Sequence, residues 1–390
     1  MDSFTLDSLS AAIYFSVGTL DLNNYTITTP VFDSTQSAWT KYLNFGTSGQ
    51  ITLNNPGTTL VTPWNTLSSL NIYGTPTVNL TNAATSGTTR TITANSIGVP
   101  INLNLQAGIA GNSIQLNGTF GNLDFTGCSA TIVNATITIL GSVNLGSTAT
   151  FSTGSNSWTL SPNKLETFTT NGISADWSII INGNELGGIQ LQDNLTMGGI
   201  ASPRTLTLTK GILDLNNKTL SVALFSSTTS NIRTINFGSS GVMNIIGTTG
   251  SVFNVTSSVN LTVTGSSRAV NISSASSNLT NRTVQAGTAT SGESGNFDLS
   301  FAGVAGSTIS LTYSSYRNLN FTGCSSKIGL IGSNTLPLSG NLNLGSTITF
   351  DATWALTTMV YSGSPQTIQT NGMIVPFGLY LYTGNSVTLL

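Results

Sequence analysis

The sequence predicts an all-β protein, a right-handed parallel β-helix (β-solenoid) made of two long tandem repeat units. Three observations carry this. Gly18-Thr-Leu-Asp-Leu-Asn-Asn-Tyr-Thr-Ile27 returns as Gly211-Ile-Leu-Asp-Leu-Asn-Asn-Lys-Thr-Leu220, an offset of 193 residues. Within such stretches apolar and polar residues alternate with the period 2 of a half-buried strand. The runs end at Asn, Gly or Ser, the residues that turn a chain through a tight corner.

Composition agrees. Of the 390 residues only 6% are charged, against roughly a quarter in an ordinary soluble domain. Hydrophobic residues still make up 38%, and Ile, Val, Thr, Leu and Phe recur in short alternating runs. That pattern belongs to an ordered β protein; a disordered polar tract has few β-branched residues.

The repeat stays in phase along the chain. Leu43-Asn-Phe-Gly46 matches Ile235-Asn-Phe-Gly238, Phe125-Thr-Gly-Cys-Ser129 matches Phe321-Thr-Gly-Cys-Ser325, and Thr170-Asn-Gly172 matches Thr370-Asn-Gly372. The offset drifts by a few residues, as small insertions in surface corners would cause. Residues 1–193 therefore read as the first solenoid unit and 194–390 as the second, in a continuous stack without a linker.

In the second copy the strands read, in order, as Thr205–Thr209, Ile212–Leu215 and Thr219–Leu224, separated by Lys-Gly and Asn-Asn corners. Arg233–Phe237 and Val242–Ile246 flank Gly-Ser-Ser-Gly. Val252–Val255, Val259–Val263, Ala269–Ile272 and Arg282–Gln285 follow, then Asn296–Phe301 and Thr308–Tyr313. Asn318–Phe321 and Lys327–Ile331 flank the Cys motif. Thr335–Leu338, Asn341–Leu344 and Thr347–Phe350 complete the set, the first two spaced like a hairpin. No segment has a convincing 3.6-residue period. Outward Thr, Ser and Asn positions suit hydrogen-bonded ladders at the roughly 4.8 Å strand spacing. Leu20, Leu22, Leu213, Leu215, Phe125, Phe321, Cys128 and Cys324 are expected to point inward, the two Cys as separate buried thiols, because equivalent positions of distant copies lie too far apart to bridge.

The same inventory narrows the chemistry. With no His, Ser-His-Asp triads, Cys-His dyads and His metal sites drop out. No P-loop, dinucleotide fingerprint or glycine-rich calcium repeat occurs. The net charge is −2 and no basic block is present, so nucleic acid is not an expected partner. No apolar run is long enough to insert in a bilayer.

A glycosidase needs two carboxylates roughly 5–9.5 Å apart. The candidates Asp21, Asp124, Glu166, Asp176, Glu185, Asp193, Asp214, Asp298 and Asp351 are scattered; Glu166 and Asp176 lie close in sequence, which by itself makes no pair. Asp21 and Asp214 share one repeat position and read as a solvated face. Asp124 becomes Asn320 in the second copy, a polar swap. Trp39, Trp64, Trp158, Trp177 and Trp354 could stack on sugars, although Trp158 and Trp354, at equivalent positions, read as core or corner packing. The sequons at Asn79, Asn254, Asn260 and Asn278 read as ladder residues. No catalytic, cofactor or metal residue is assigned.

Gly18-Thr-Leu-Asp-Leu-Asn-Asn, Thr205-Leu-Thr-Leu-Thr-Lys-Gly-Ile-Leu-Asp-Leu and Gly340-Asn-Leu-Asn-Leu-Gly-Ser-Thr resemble the Thr/Asn/Gly-rich β-solenoid appendages of bacteriophages and bacterial surface adhesins. The resemblance is compositional, spans nearly the whole chain and singles out no one family. It implies a structural, non-enzymatic part of an extended surface appendage. With no secretion signal at the N-terminus, a phage fibre, spike or other virion appendage engaged in attachment is the expectation. A fragment of a secreted adhesin and a polysaccharide-degrading tailspike are the alternatives. The expected partners are copies of the chain or other appendage subunits, and a host-surface glycan. The C-terminal stretch stops in mid-pattern, as in a piece of a longer repetitive protein or one whose ends partner subunits cover.

Overall fold

The computed structural model describes residues 3–6, 8, 11–54, 62–81, 89–106, 112–133, 135–154, 156–198, 203–273, 280–288, 296–332, 335–352, 358–361, 366–381 and 386–390, with the backbone alone at 358–361. The chain is all-β, and its parallel strands stack as a β-solenoid of about 14 turns. It packs as two compact units, Met1–Asp193 and Asn194–Leu390.

Among the described residues the first unit has three ladders. One joins Gly18–Asp21, Lys41–Asn44, Leu70–Tyr73 and Ile97–Gly98. A second starts with Phe4–Thr5 and continues through Thr26–Thr29, Gln50–Leu53, Thr77–Leu80 and Asn102–Leu105, and the third starts with Ile13–Tyr14, Phe32–Asp33 and Trp64–Thr66. Thr26 pairs with Gln50, Gln50 with Thr77 and Thr77 with Asn102, steps of 24, 27 and 25 residues. From Gly18 to Phe120 each coil thus places a strand on every ladder; among the described residues the first ladder ends at Ile97–Gly98, while the other two continue to Leu123–Asp124 and Thr131–Val133.

The second unit repeats the plan. Gly211–Asp214, within Thr205–Asp214, pairs with Arg233–Asn236, which pairs with Leu261–Thr264. A nine-stranded ladder runs from Leu195–Met197 to Val387–Leu389.

Alternation explains the core. Ile51, Leu53, Val78, Leu80, Leu103 and Leu105 are buried, while the residues between them line the outer face. On that face Asn104 Nδ2 donates to Asn79 Oδ1 (2.8 Å) and Asn79 Nδ2 to Gln50 Oε1 (2.9 Å). Asn271 Nδ2 donates to Asn244 Oδ1 (2.9 Å) in the second unit. Aromatic rings stack inside: Phe32 on Trp64 at 4.7 Å, Phe225 on Phe253 at 5.5 Å and Phe301 on Phe321 at 4.7 Å between centroids. Such pairs each contribute about 0.5–1.5 kcal/mol beyond their burial.

The Asn-Asn corner is the same device in both units. Asn23 and Asn24 have φ of 47° and 67°, Asn216 and Asn217 of 48° and 64°. Asn24 Oδ1 accepts from Thr47 N (2.6 Å) and Ser48 N (3.2 Å) on the next coil; Asn217 Oδ1 accepts from Ser239 N (2.6 Å) and Ser240 N (3.3 Å). Gly46 and Gly238 must be glycine there. Their φ is positive, and a Cβ would lie 2.4 or 2.5 Å from that oxygen.

Leu22, Leu213, Leu215, Phe125, Phe321, Cys128 and Cys324 are buried, and both thiols are free. Three expectations need correction. Leu20 is only half-buried, because Gly18–Asp21 is the edge strand of its four-stranded sheet. Asp214 is buried, at 7% exposure, where its counterpart Asp21 is exposed; Asn236 Nδ2 and Asn216 N both donate to its Oδ1. Thr335–Leu338 and Leu342–Asn343 form no hairpin. The first pairs in parallel with Thr358–Tyr361, the second with Asn318–Asn320 and Gln366–Gln369. Asn341 N donates to Asn318 Oδ1 on the adjacent coil (2.6 Å), so the Ser-Gly corner turns the chain onto the next ladder instead of reversing it.

Candidate functional site

The carboxylates are mostly corner braces. Asp21 Oδ1 accepts from Asn23 N and Asp214 Oδ1 from Asn216 N, both at 2.9 Å. Asp124 Oδ1 accepts from Thr126 N (2.9 Å) and its hydroxyl (2.6 Å), and Asn320 Oδ1 does the backbone part of the same work for Thr322 N (3.0 Å). Asp193 spans two coils, accepting from Thr170 N (2.8 Å) and Asn171 N (2.6 Å). Asp298 pairs with Arg317 Nε at 3.4 Å. Asp176 is half-buried, Glu185 exposed and Asp351 half-buried. No group of three or more His, Cys, Asp or Glu that could hold a metal occurs among the described residues.

Trp64, Trp158 and Trp177 are buried in the aromatic stacks, Trp158 on Trp177 at 4.5 Å, and Trp39 is 74% exposed. Trp354 and Asn278 lie outside the described residues. Burial pushes the Cys128 thiol up, with a backbone hydrogen bond at Ala130 opposing it, which keeps it protonated and unreactive.

Buried cations were not legible in the sequence. Arg233 is fully buried without a carboxylate. Its guanidinium donates to Asn231 O (2.9 Å), Ser227 O (3.0 Å) and Oγ (2.9 Å), Ser257 O (3.0 Å) and Val259 O (2.8 Å). Lys41 holds the equivalent place, donating to Ser37 O (2.7 Å), Trp39 O (3.0 Å) and Ser69 Oγ (3.0 Å). Arg282 is also fully buried, but Nη2 donates to Ala302 O (3.2 Å) while Nε and Nη1 meet no hydrogen-bond partner. Desolvation lowers the pKa of Arg233 and Arg282 alike.

A cleft of about 340 Å³ opens on the first unit, lined in part by Thr75, Pro76, Val99, Asn122, Leu140 and Glu166. Glu166 accepts from Ser142 Oγ (2.5 Å) and pairs with Lys164 at 3.3 Å. Asn102 Oδ1 accepts from Asn122 N (2.9 Å), and Asn122 Oδ1 from Ser142 N (2.8 Å). The cleft opens where the Leu70–Tyr73 and Ile97–Gly98 strands end. On the outer face of that ladder, Tyr42 and Tyr73 are 42% and 47% exposed, their rings 6.3 Å apart at 25°. Alternation within Lys41–Asn44 and Leu70–Tyr73 turns both rings outward, beside a cleft whose walls come from five successive coils.

No protein-family model matches the chain, and neither a curated protein nor a solved structure does.

Proposed function

We propose that this protein is a structural, non-enzymatic component of an extended surface appendage, a fibre, spike or other virion projection engaged in attachment. The observation that carries the reading is the use of the acidic side chains. Asp21, Asp124, Asp193 and Asp214 are each committed to corner amides, a task in stacking the coils that favours a structural role for these four over acid–base chemistry. A parallel solenoid stiffened by Asn ladders is suited to span distance. Copies of the chain are the simplest partner for such a projection.

Immunogold electron microscopy of the source particles and cells tests the reading. Label along a projection is expected; label confined to the cell interior overturns it. Incubation with capsule and cell-wall glycans should release no new reducing ends or unsaturated products. Turnover that is lost on changing one Asp or Glu would establish the polysaccharide-degrading alternative.

A further inference from the structure

We propose that the outer face of the Gly18–Asp21, Lys41–Asn44, Leu70–Tyr73 and Ile97–Gly98 ladder, with the adjoining cleft, binds a neutral oligosaccharide. The proposal rests on the attachment reading and names the surface and ligand class for it.

The two units place different side chains on one backbone plan. Trp39, Tyr42, Leu67 and Tyr73 are exposed in the first unit. The corresponding positions hold Asn231, Thr234, Ser258 and Thr264, with Ile232 and Val259 adding two exposed aliphatic side chains beside them. The correspondence is structural. Lys41 and Arg233 both bond the carbonyl two residues back, at Trp39 and Asn231. Leu70 N and Leu261 N both close a turn onto the carbonyl three residues back, at Leu67 and Ser258. The solenoid therefore forms with polar residues at these sites. Large apolar side chains held in water at all four are an expense the fold does not require, and exposed patches of this kind mark contact surfaces.

The ligand class follows from the chemistry of the patch. A pyranose offers flat C–H faces and a rim of hydroxyls. Tyrosine rings on adjacent coils suit the faces, being rigid, apolar in the ring and polar at the tip. In the cleft the Asn102 and Asn122 oxygens are committed to the coil-to-coil ladder, so the NH2 end of each carboxamide is the donor a ligand hydroxyl would meet. Glu166 supplies a carboxylate acceptor. The cleft volume falls in the roughly 300–1,000 Å³ range of small-molecule sites.

Charge selects a neutral ligand. Lys41 is buried beneath the ladder, Asp21 is tied to its own turn, and Glu166 is already paired. An anionic polymer would meet Lys164 as the cation beside the cleft. A second copy of this chain is the competing occupant, but a stable protein interface needs on the order of 1,000 Å² or more of complementary surface, and a concave, amide-lined cleft suits a narrow chain of sugar rings better.

The test is titration of the full chain with cellohexaose, maltohexaose, laminarihexaose and chitohexaose, followed by calorimetry and by Trp39 fluorescence. At least one should bind saturably. Tyr42→Thr and Tyr73→Thr, which copy the residues of the other unit and so keep its fold, should each raise Kd about tenfold. Val99→Arg at the cleft wall should do the same, and Thr234→Ala with Thr264→Ala should change nothing. No binding to any of the four, binding that survives both tyrosine changes, or binding only to polygalacturonate overturns the proposal. So does a fall in sedimentation coefficient caused by the tyrosine changes, which would make the face a contact between copies. Saturable binding alongside immunogold label away from any projection would uphold the site and refute the appendage reading.

Discussion

In the Met1–Asp193 unit a coil turns on Lys41, stacks Phe32 on Trp64 and sends Tyr42 and Tyr73 to the surface. In the Asn194–Leu390 unit the same places hold Arg233, Phe225 on Phe253, and Thr234 with Thr264. Inward positions keep their character because a stacked coil has one interior and tight tolerance for volume. Corner positions keep theirs because an unpaired buried amide is costly. Outward positions are released from both demands, so differences there reflect what the surface meets.

The largest test of this comparison concerns the buried cations. Replacing Arg233 by Met strands carbonyls of Ser227, Asn231, Ser257 and Val259; a loss of about 3–5 kcal/mol is expected in urea denaturation. Arg282→Met removes a guanidinium with two unmatched nitrogens and should be neutral or stabilising. Equal losses at the two sites would show that hydrogen bonding does not distinguish them.

Tyr316 is next. It is buried where the first unit has Phe120, and its hydroxyl donates to Thr312 O (2.8 Å) and lies 3.3 Å from Val284 O. Tyr316→Phe should cost about 1–3 kcal/mol at pH 7 by removing the hydroxyl from Thr312 O, while Val284 O keeps the Thr312 hydroxyl as a donor. Burial raises the Tyr316 pKa, and the Cys128 thiol likewise. Each therefore contributes stability that is complete below its unfolded pKa, about 10 for Tyr and about 8.5 for Cys, and lost as pH rises beyond it. Stability measured against pH should fall on the alkaline side, less steeply above pH ~10 in Tyr316→Phe.

Trp64→Phe, which installs the second unit's Phe253 arrangement, deletes a buried indole N–H without a partner and should cost less than about 1.5 kcal/mol. Smallest of all, Asp124→Asn should stay within about 0.5 kcal/mol, because Asn320 already braces the same corner. A larger loss would mean that the Asp124 charge itself matters.

The fold class was legible in the amino-acid sequence. A period of 2 broken by Asn and Gly corners describes a local preference, and its recurrence at about 193 residues tells the coils how to stack without reference to distant contacts. Leu213, Phe321 and both Cys read correctly for the same reason. Asp214 did not, since the Asn236 amide that covers it arrives from the next coil. The apparent hairpin after Leu338 failed because a corner's direction depends on the coil beneath it. The Lys41 and Arg233 cages, the stranded nitrogens of Arg282, and the joining of Thr75 to Val99 and Glu166 at one cleft were settled only by tertiary structure. Each brings together groups some 20 or more residues apart in the chain, and stacking register, which is set to within one residue by the whole ladder, decides which of them meet.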